Sequence, residues 1–224
     1  MFDLSGMTAL VTGASGGIGS AIARGLAAQG ARLAVSGSNA EKLEAFRAGL
    51  GGDHVAVPCN LSDAAAVDAL VPQAVEALGG RIDILVNNAG VTRDNLAMRM
   101  KDDEWDQVIR VNLEAAFRLI RAAAKPMMKQ RFGRVVSITS VVGQTGNPGQ
   151  ANYAASKAGL VGMSKALAQD LARLLRTSLG EEVLVNPRPV VRTPMRKPPT
   201  QTAVAAPARP APAPAGGSPF DVLK

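Results

Sequence analysis

Short aliphatic runs alternate with alanine-rich stretches along the first three quarters of this chain, and that alternation restricts the fold more than any other feature. Residues 8–12 (TALVT), 32–37 (RLAVSG), 54–58 (HVAVP), 82–88 (IDILVNN) and 134–140 (RVVSITS) read as strands. Residues 18–30, 39–50, 62–78, a long stretch through Met127 and a segment from about Asn152 to Leu175 read as helices. Strand, helix and strand in succession form βαβ units, whose strands run parallel. Strands covered on both faces need no polar side, and DILVN and RVVSI are continuous aliphatic runs. The expected class is therefore α/β, a three-layer doubly wound parallel sheet. Ser62 with Asp63 supplies a helix N-cap, and Gly30 a C-terminal stop.

The residue types agree with this. The chain is 47% hydrophobic but only 3% aromatic, so its core is built from Ala, Val, Leu and Ile. A length of 224 residues is ample for one such core. No apolar run approaches the ~20 residues needed to cross a bilayer, and the N-terminus lacks the basic region of a secretory signal. The expectation is a cytoplasmic protein with no membrane association. Cys59 and His54 are each the single member of their type, so no disulfide framework or zinc site can be assembled and both are read as structural.

At Pro187 the character changes. Ten of the 14 prolines fall in the last 38 residues, as in ARPAPAPAGGSP. Proline opposes both helix interiors and central strands. The expected division is a folded domain over 1–186 and a disordered Pro/Ala/Arg-rich tail over 187–224. The net charge of +7 concentrates in that tail, where six basic residues meet one acid; before it, nineteen basic side chains face seventeen acidic ones. No basic stripe marks the domain, so nucleic acid is not an expected partner.

Three motifs carry chemistry. TGASGGIG (Thr12–Gly19) joins the first strand to the first helix, where glycines allow close backbone approach and the helix N-terminus attracts phosphate. NNAG (Asn87–Gly90) ends the fourth strand, the end at which open α/β sheets bind ligands. Tyr153, the only tyrosine, precedes Lys157 by four residues. On a helix that spacing puts phenol and ammonium on one face, where the cation favours the phenolate. A tyrosine packed at a helix edge beside a solvated lysine has the same spacing.

Together with Asn112 in VIRVNL and Ser140 in SITS, thirteen residues before Tyr153, these motifs resemble the short-chain dehydrogenase/reductase family over residues 1 to about 172. Residues 91–105 and 146–160 look most like its bacterial branch that reduces 3-oxoacyl groups on acyl carrier protein in fatty-acid synthesis. The resemblance implies a Rossmann-like fold and an NADP-dependent oxidoreductase. It makes Tyr153 the general acid, Lys157 the cation that lowers the phenol's pKa and holds the nicotinamide ribose, Ser140 a donor to the substrate carbonyl, and Asn112 the holder of a proton-relaying water. Gly13, Ser15, Gly17, Ile18 and Gly19 would take the pyrophosphate side, Asn60 and Leu61 the adenine, and Asn88, Ala89 and Gly90 the ribose and neighbouring backbone. No acid follows the second strand before Glu41, which favours NADP over NAD, with Ser38 a phosphate ligand, although Gly16 stands where many NADP-using relatives carry arginine. Lys129 and Arg131 are the expected contacts for the acidic carrier protein.

After residue 172 the resemblance stops, short of the family's last strands and substrate-covering loop. The expected sheet is C-terminally incomplete, which argues against the family's homotetramer. A shifted reading frame or a divergent tail would each produce this. A reductase of acetoacetyl-CoA or another small ketone, and an inactive dinucleotide-binding remnant, are the alternative functions.

Overall fold

The computed structural model describes residues 3–179, so the expected tail over 187–224 lies outside the described residues. Five strands, β1 (Thr8–Thr12), β2 (Arg32–Ser36), β3 (Val55–Ala56), β4 (Ile84–Asn87) and β5 (Arg134–Ser137), form one parallel sheet in the order β3-β2-β1-β4-β5. The chain moves outward from β1 to β3, then crosses back to lay β4 on the other side of β1. That reversal opens a crevice beyond the C-terminal ends of β1 and β4, where ligands bind in such sheets.

Helices cover both faces, giving three layers. α1 (Gly17–Ala28) and α2 (Ala40–Ala48) pack on the face presenting Ala9, Val11, Leu33, Val35, Ile84 and Val86. α3 (Ala64–Ala77) and α5 (Ala115–Lys129) pack on the opposite face, with Leu10, Ala34 and Leu85. The alternation follows from the two-residue period of a strand, so one aliphatic run serves two cores. Leu10, Leu33 and Leu85 are fully buried, each worth roughly 1.5–3 kcal/mol relative to exposure.

The caps fall where expected: Asp63 accepts the Ala65 and Ala66 N–H groups, and Gly30 continues past α1 at φ +93°. Several elements differ. The strand expected over 54–58 is two residues long: at its start the His54 Nδ1 accepts the Leu33 N–H at 3.1 Å in place of a backbone partner, and at its end Pro58 has no N–H to give. The long helical stretch before Met127 consists of α4 (Asp102–Ile109), a π-turn (Arg110–Glu114) and α5, with the Ala115 N–H reaching back five residues to the Arg110 carbonyl. After β5 come the short α6 (Val142–Thr145) and α7 (Ala151–Leu179), which is longer than the 152–175 expected.

The base of the sheet is locked by Asp83, fully buried, whose Oδ2 accepts the Thr8 N–H at 2.9 Å and whose Oδ1 pairs with Arg81 at 2.7 Å. At the outer side of β5 the packing is open. Val135 and Val136 are 38% and 46% exposed, and among the described residues no strand pairs beyond them.

Candidate active site

The loop between β1 and α1 is shaped by contacts only glycine permits. Gly13 adopts φ +63°, and a Cβ there would lie 2.9 Å from the Ala89 Cα. A Cβ on Gly19 would collide with the Gly13 carbonyl oxygen and lie 2.6 Å from the Asn88 Nδ2. Gly17 faces open space. Two of the motif's glycines thus bring the loop against the end of β4, and a third leaves room outside it.

Thr12 and Asn88 fasten that junction. The Thr12 hydroxyl accepts the Asn88 and Ala89 N–H groups, each at 3.1 Å, and donates to the Val86 carbonyl at 3.2 Å. The Asn88 Nδ2 donates to the Thr12 and Gly13 carbonyls at 2.9 and 3.3 Å. The side chain of Asn88, one of three residues expected at the ribose and neighbouring backbone, holds the glycine loop.

Above this junction lies a cavity of about 740 Å³. Gly13, Ser15, Gly17, Ile18 and Gly19 line it, as do Ser38, Asn60, Leu61, Asn88, Ala89 and Gly90, so every residue expected to meet the dinucleotide outside Tyr153 and Lys157 borders one space. Ser36, Asn39 and Lys42 join Ser38 in the lining near the end of β2. Asn39 caps α2 by accepting the Lys42 N–H at 2.8 Å. Asn60 closes a turn on the Ser62 N–H at 3.0 Å. Both the size of the cavity and its glycine cradle fit a dinucleotide.

Lys157 occupies the inner end of the site. It is only 4% exposed, and its Nζ donates to the Ile138 carbonyl at 2.8 Å and lies 5.6 Å from the centroid of the Tyr153 ring. Burial pushes its pKa below the ordinary lysine value. Gly90 closes on the same point, since a Cβ there would lie 3.2 Å from the Asn112 Oδ1 and 3.6 Å from the Lys157 Nζ. No described group hydrogen-bonds the Tyr153 hydroxyl, which leaves it free to donate to a ligand.

Ser140 follows β5, and its hydroxyl accepts the Val142 N–H at 3.2 Å. The turn it begins presses on α7: a Cβ on Gly143 would lie 2.9 Å from the Ala158 nitrogen and 3.1 Å from the Lys157 Cβ. Asn112 sits in the π-turn, an element frequent at functional sites. Its Oδ1 accepts the Val91 N–H at 2.8 Å, and its Nδ2 donates to the Val91 carbonyl and the Ser156 hydroxyl at 2.9 and 3.2 Å. Both amide donors are thus engaged within the protein, so any water at Asn112 would have to donate to an oxygen.

Sequence reasoning missed Thr12, Lys42, Asn152 and Ser156. The last two flank Tyr153 within the same NYAASK segment, but nothing in that string says which distant backbone groups their side chains meet. Lys129 and Arg131 are not brought to the site. They flank Gln130, whose Nε2 donates to the Ile82 carbonyl at the base of the sheet, the opposite end from Ser140. His54 and Cys59 serve the fold. Burial pushes the Cys59 thiol up to about 11, far from a reactive thiolate. Among the described residues no helix is long and apolar enough to cross a membrane.

The family model described as short chain dehydrogenase matches residues 7–202. The chain is 58% identical to nodulation protein G of Rhizobium sp. (strain N33) over 172 residues, covering 77% of this chain and 70% of that one. It is 55% identical to the 3-oxoacyl-[acyl-carrier-protein] reductase FabG of Rickettsia bellii, with 77% and 69% covered, and 49% identical to the same-named protein of Escherichia coli (strain K12), with 76% and 69% covered. Among solved structures, a protein described as a short-chain alcohol dehydrogenase from Sinorhizobium meliloti 1021 superposes with a TM-score of 0.73 at 39% identity, covering 77% of this chain and 69% of that one.

Proposed function

The chain belongs to the short chain dehydrogenase family, and from that premise we propose that it reduces a 3-oxoacyl thioester on acyl carrier protein to the 3-hydroxyacyl thioester, with NADPH as reductant. The observation that carries the proposal is the phenol of Tyr153: among the described residues its hydroxyl has no hydrogen-bond partner, and it stands beside a buried ammonium that adjoins Gly90, a lining residue of the dinucleotide-sized cavity. When bound, the nicotinamide supplies the hydride. The protein's own residues supply position and the proton.

Tyr153 donates its hydroxyl proton to the substrate carbonyl oxygen as negative charge develops there. Lys157 favours the resulting phenolate electrostatically and, with its Nζ beside Gly90, holds the ribose hydroxyls in this reading. Its depressed pKa means that burial disfavours the ammonium, so a neighbouring phenolate gives that cation a counter-charge it otherwise lacks. Ser140 offers a second donor to the carbonyl oxygen. Asn112 fixes Val91, and so the segment leaving Gly90, against α7.

Preference for NADPH is supported by the lining near the end of β2. Ser38, Asn39 and Lys42 offer a hydroxyl, an amide and a cation to a 2′-phosphate, and no carboxylate lines that end. Lys42 supplies the positive charge that Gly16 does not. The acyl-carrier substrate is supported by the two reductases of that name among the relatives. Lys129 and Arg131 stay candidate contacts for the carrier, at the opposite end of the sheet from Ser140 within one chain.

The test is steady-state reduction of 3-oxoacyl thioesters on carrier protein and on coenzyme A by the wild type and Tyr153→Phe. Faster turnover of the carrier-bound form, lost about a hundredfold or more in the variant, is expected. Equal turnover of both proteins would remove Tyr153 from the mechanism, and preference for the coenzyme A thioester would transfer the function to a small-ketone reductase.

A further inference from the structure

Asn152, one residue before Tyr153, is fully buried, and its side chain bonds three separate parts of the chain. The Nδ2 donates to the Arg93 carbonyl at 2.8 Å and to the Glu104 carbonyl at 3.3 Å, while the Oδ1 accepts the Tyr153 backbone N–H at 2.7 Å. Arg93 belongs to the segment leaving Gly90, Glu104 to the first turn of α4, and Tyr153 to the first turn of α7. The Tyr153 N–H is one of the leading donors for which a helix has no internal acceptor. Two further bonds stitch the same segments together: the Asn95 N–H donates to the Gly149 carbonyl at 2.8 Å, and the Gln150 Nε2 to the Asp94 Oδ2 at 2.9 Å.

Resting on the assignment of Tyr153 as the acid, we propose that Asn152 is a positioning residue that fixes the helical turn carrying the phenol against the 91–95 segment. The task needs an amide. Leucine would match its bulk but take this partner from the Arg93 carbonyl and the Tyr153 N–H, both part-buried, at a cost in free energy. Aspartate would keep the acceptor for Tyr153 while turning a carboxylate oxygen toward two carbonyls. The glycine loop rests on β1 and β4 and makes none of these bonds, so losing them displaces the acid without touching the pyrophosphate end. A displacement near 1 Å is enough to cost about a hundredfold in rate.

The experiment compares wild type and Asn152→Asp for kcat on a 3-oxoacyl thioester, NADPH dissociation constant, and amide hydrogen exchange at Asn95 and Tyr153. The expected result is a kcat at least tenfold lower, an NADPH constant changed less than twofold, and faster exchange at both amides. Unchanged kcat in the folded variant overturns the proposal, as does a fall in kcat matched by an equal loss of NADPH binding. If the wild type reduces no thioester, the functional assignment fails, and exchange alone judges the clamp: acceleration at both amides upholds it and unchanged exchange refutes it. Should the variant not fold, exchange in the wild type decides. Matched protection of Asn95 and Tyr153 supports one stitched unit, and Asn95 exchanging freely beside a protected Tyr153 refutes it.

Discussion

The Lys157 Nζ lies 5.6 Å from the centre of the Tyr153 ring, and its hydrogen bond runs to the Ile138 carbonyl, so the cation is shared between the phenol's face and the end of β5. It is held in place by groups that do not neutralise it. The lowered pKa says that this environment, taken whole, disfavours the charge, and the Ile138 carbonyl does not fully offset its burial.

Lys157→Met is therefore expected to raise the melting temperature while abolishing turnover, a trade of function for stability. Because the folded pKa is depressed, the destabilising effect is fully present below the folded value and is relieved as pH rises through it toward the ordinary 10.5. Thermal melting at pH 7 checks this, and a lower melting temperature in the variant would contradict it.

The glycine loop separates two kinds of glycine. Gly19→Ala places a methyl against the Gly13 carbonyl and the Asn88 amide, which should cost about 1–3 kcal/mol and remove dinucleotide binding. Gly17→Ala has open space around its methyl. It should melt like the wild type yet bind NADPH more weakly, because the methyl enters the ligand's volume. Calorimetric melting and NADPH titration of the two variants distinguish the cases.

Lys42→Glu should weaken NADPH binding about tenfold, roughly 1.4 kcal/mol, and leave NADH binding almost unchanged, since only the former carries the 2′-phosphate. Ser38→Asp should reverse the preference. The effect of Lys42→Glu should shrink in high salt, because the lysine is exposed. Fluorescence titrations with both cofactors test it, and tighter NADH than NADPH binding in the wild type would refute the assignment.

His54 accepts the Leu33 N–H through Nδ1, which requires the neutral ring, and burial is the main cause of its lowered pKa. A base whose folded pKa is depressed binds its proton more readily unfolded. The stability tied to the neutral ring is whole above the ordinary 6.5 and is lost as pH falls through the window below it. The unfolding free energy from urea titration should fall between pH 7.5 and pH 5 by about 1 kcal/mol, the scale of one hydrogen bond. His54→Gln should show less of this pH dependence; an equal dependence would exclude His54 as its source.

The sequence alone determined the layering, because the period of a strand and that of a helix are written locally: TALVT is strand β1 residue for residue, and Asp63 caps the helix it precedes. It also paired Tyr153 with Lys157, since four residues of helix fix that neighbourhood without help from the rest of the chain. Only the tertiary structure decided the partners of Asn88, Asn112 and Asn152. An amide's hydrogen bonds go to whichever backbone groups the fold leaves unpaired nearby, and here those groups lie 76, 21 and 59 residues away along the chain. It likewise shortened β3, where the His54 side chain took a bond that periodicity assigns to backbone, and brought Lys42 into the same cavity lining as Ser38. Local periodicity is a property of a few consecutive residues, whereas the pairing of buried polar groups depends on which distant segments the packed sheet brings together.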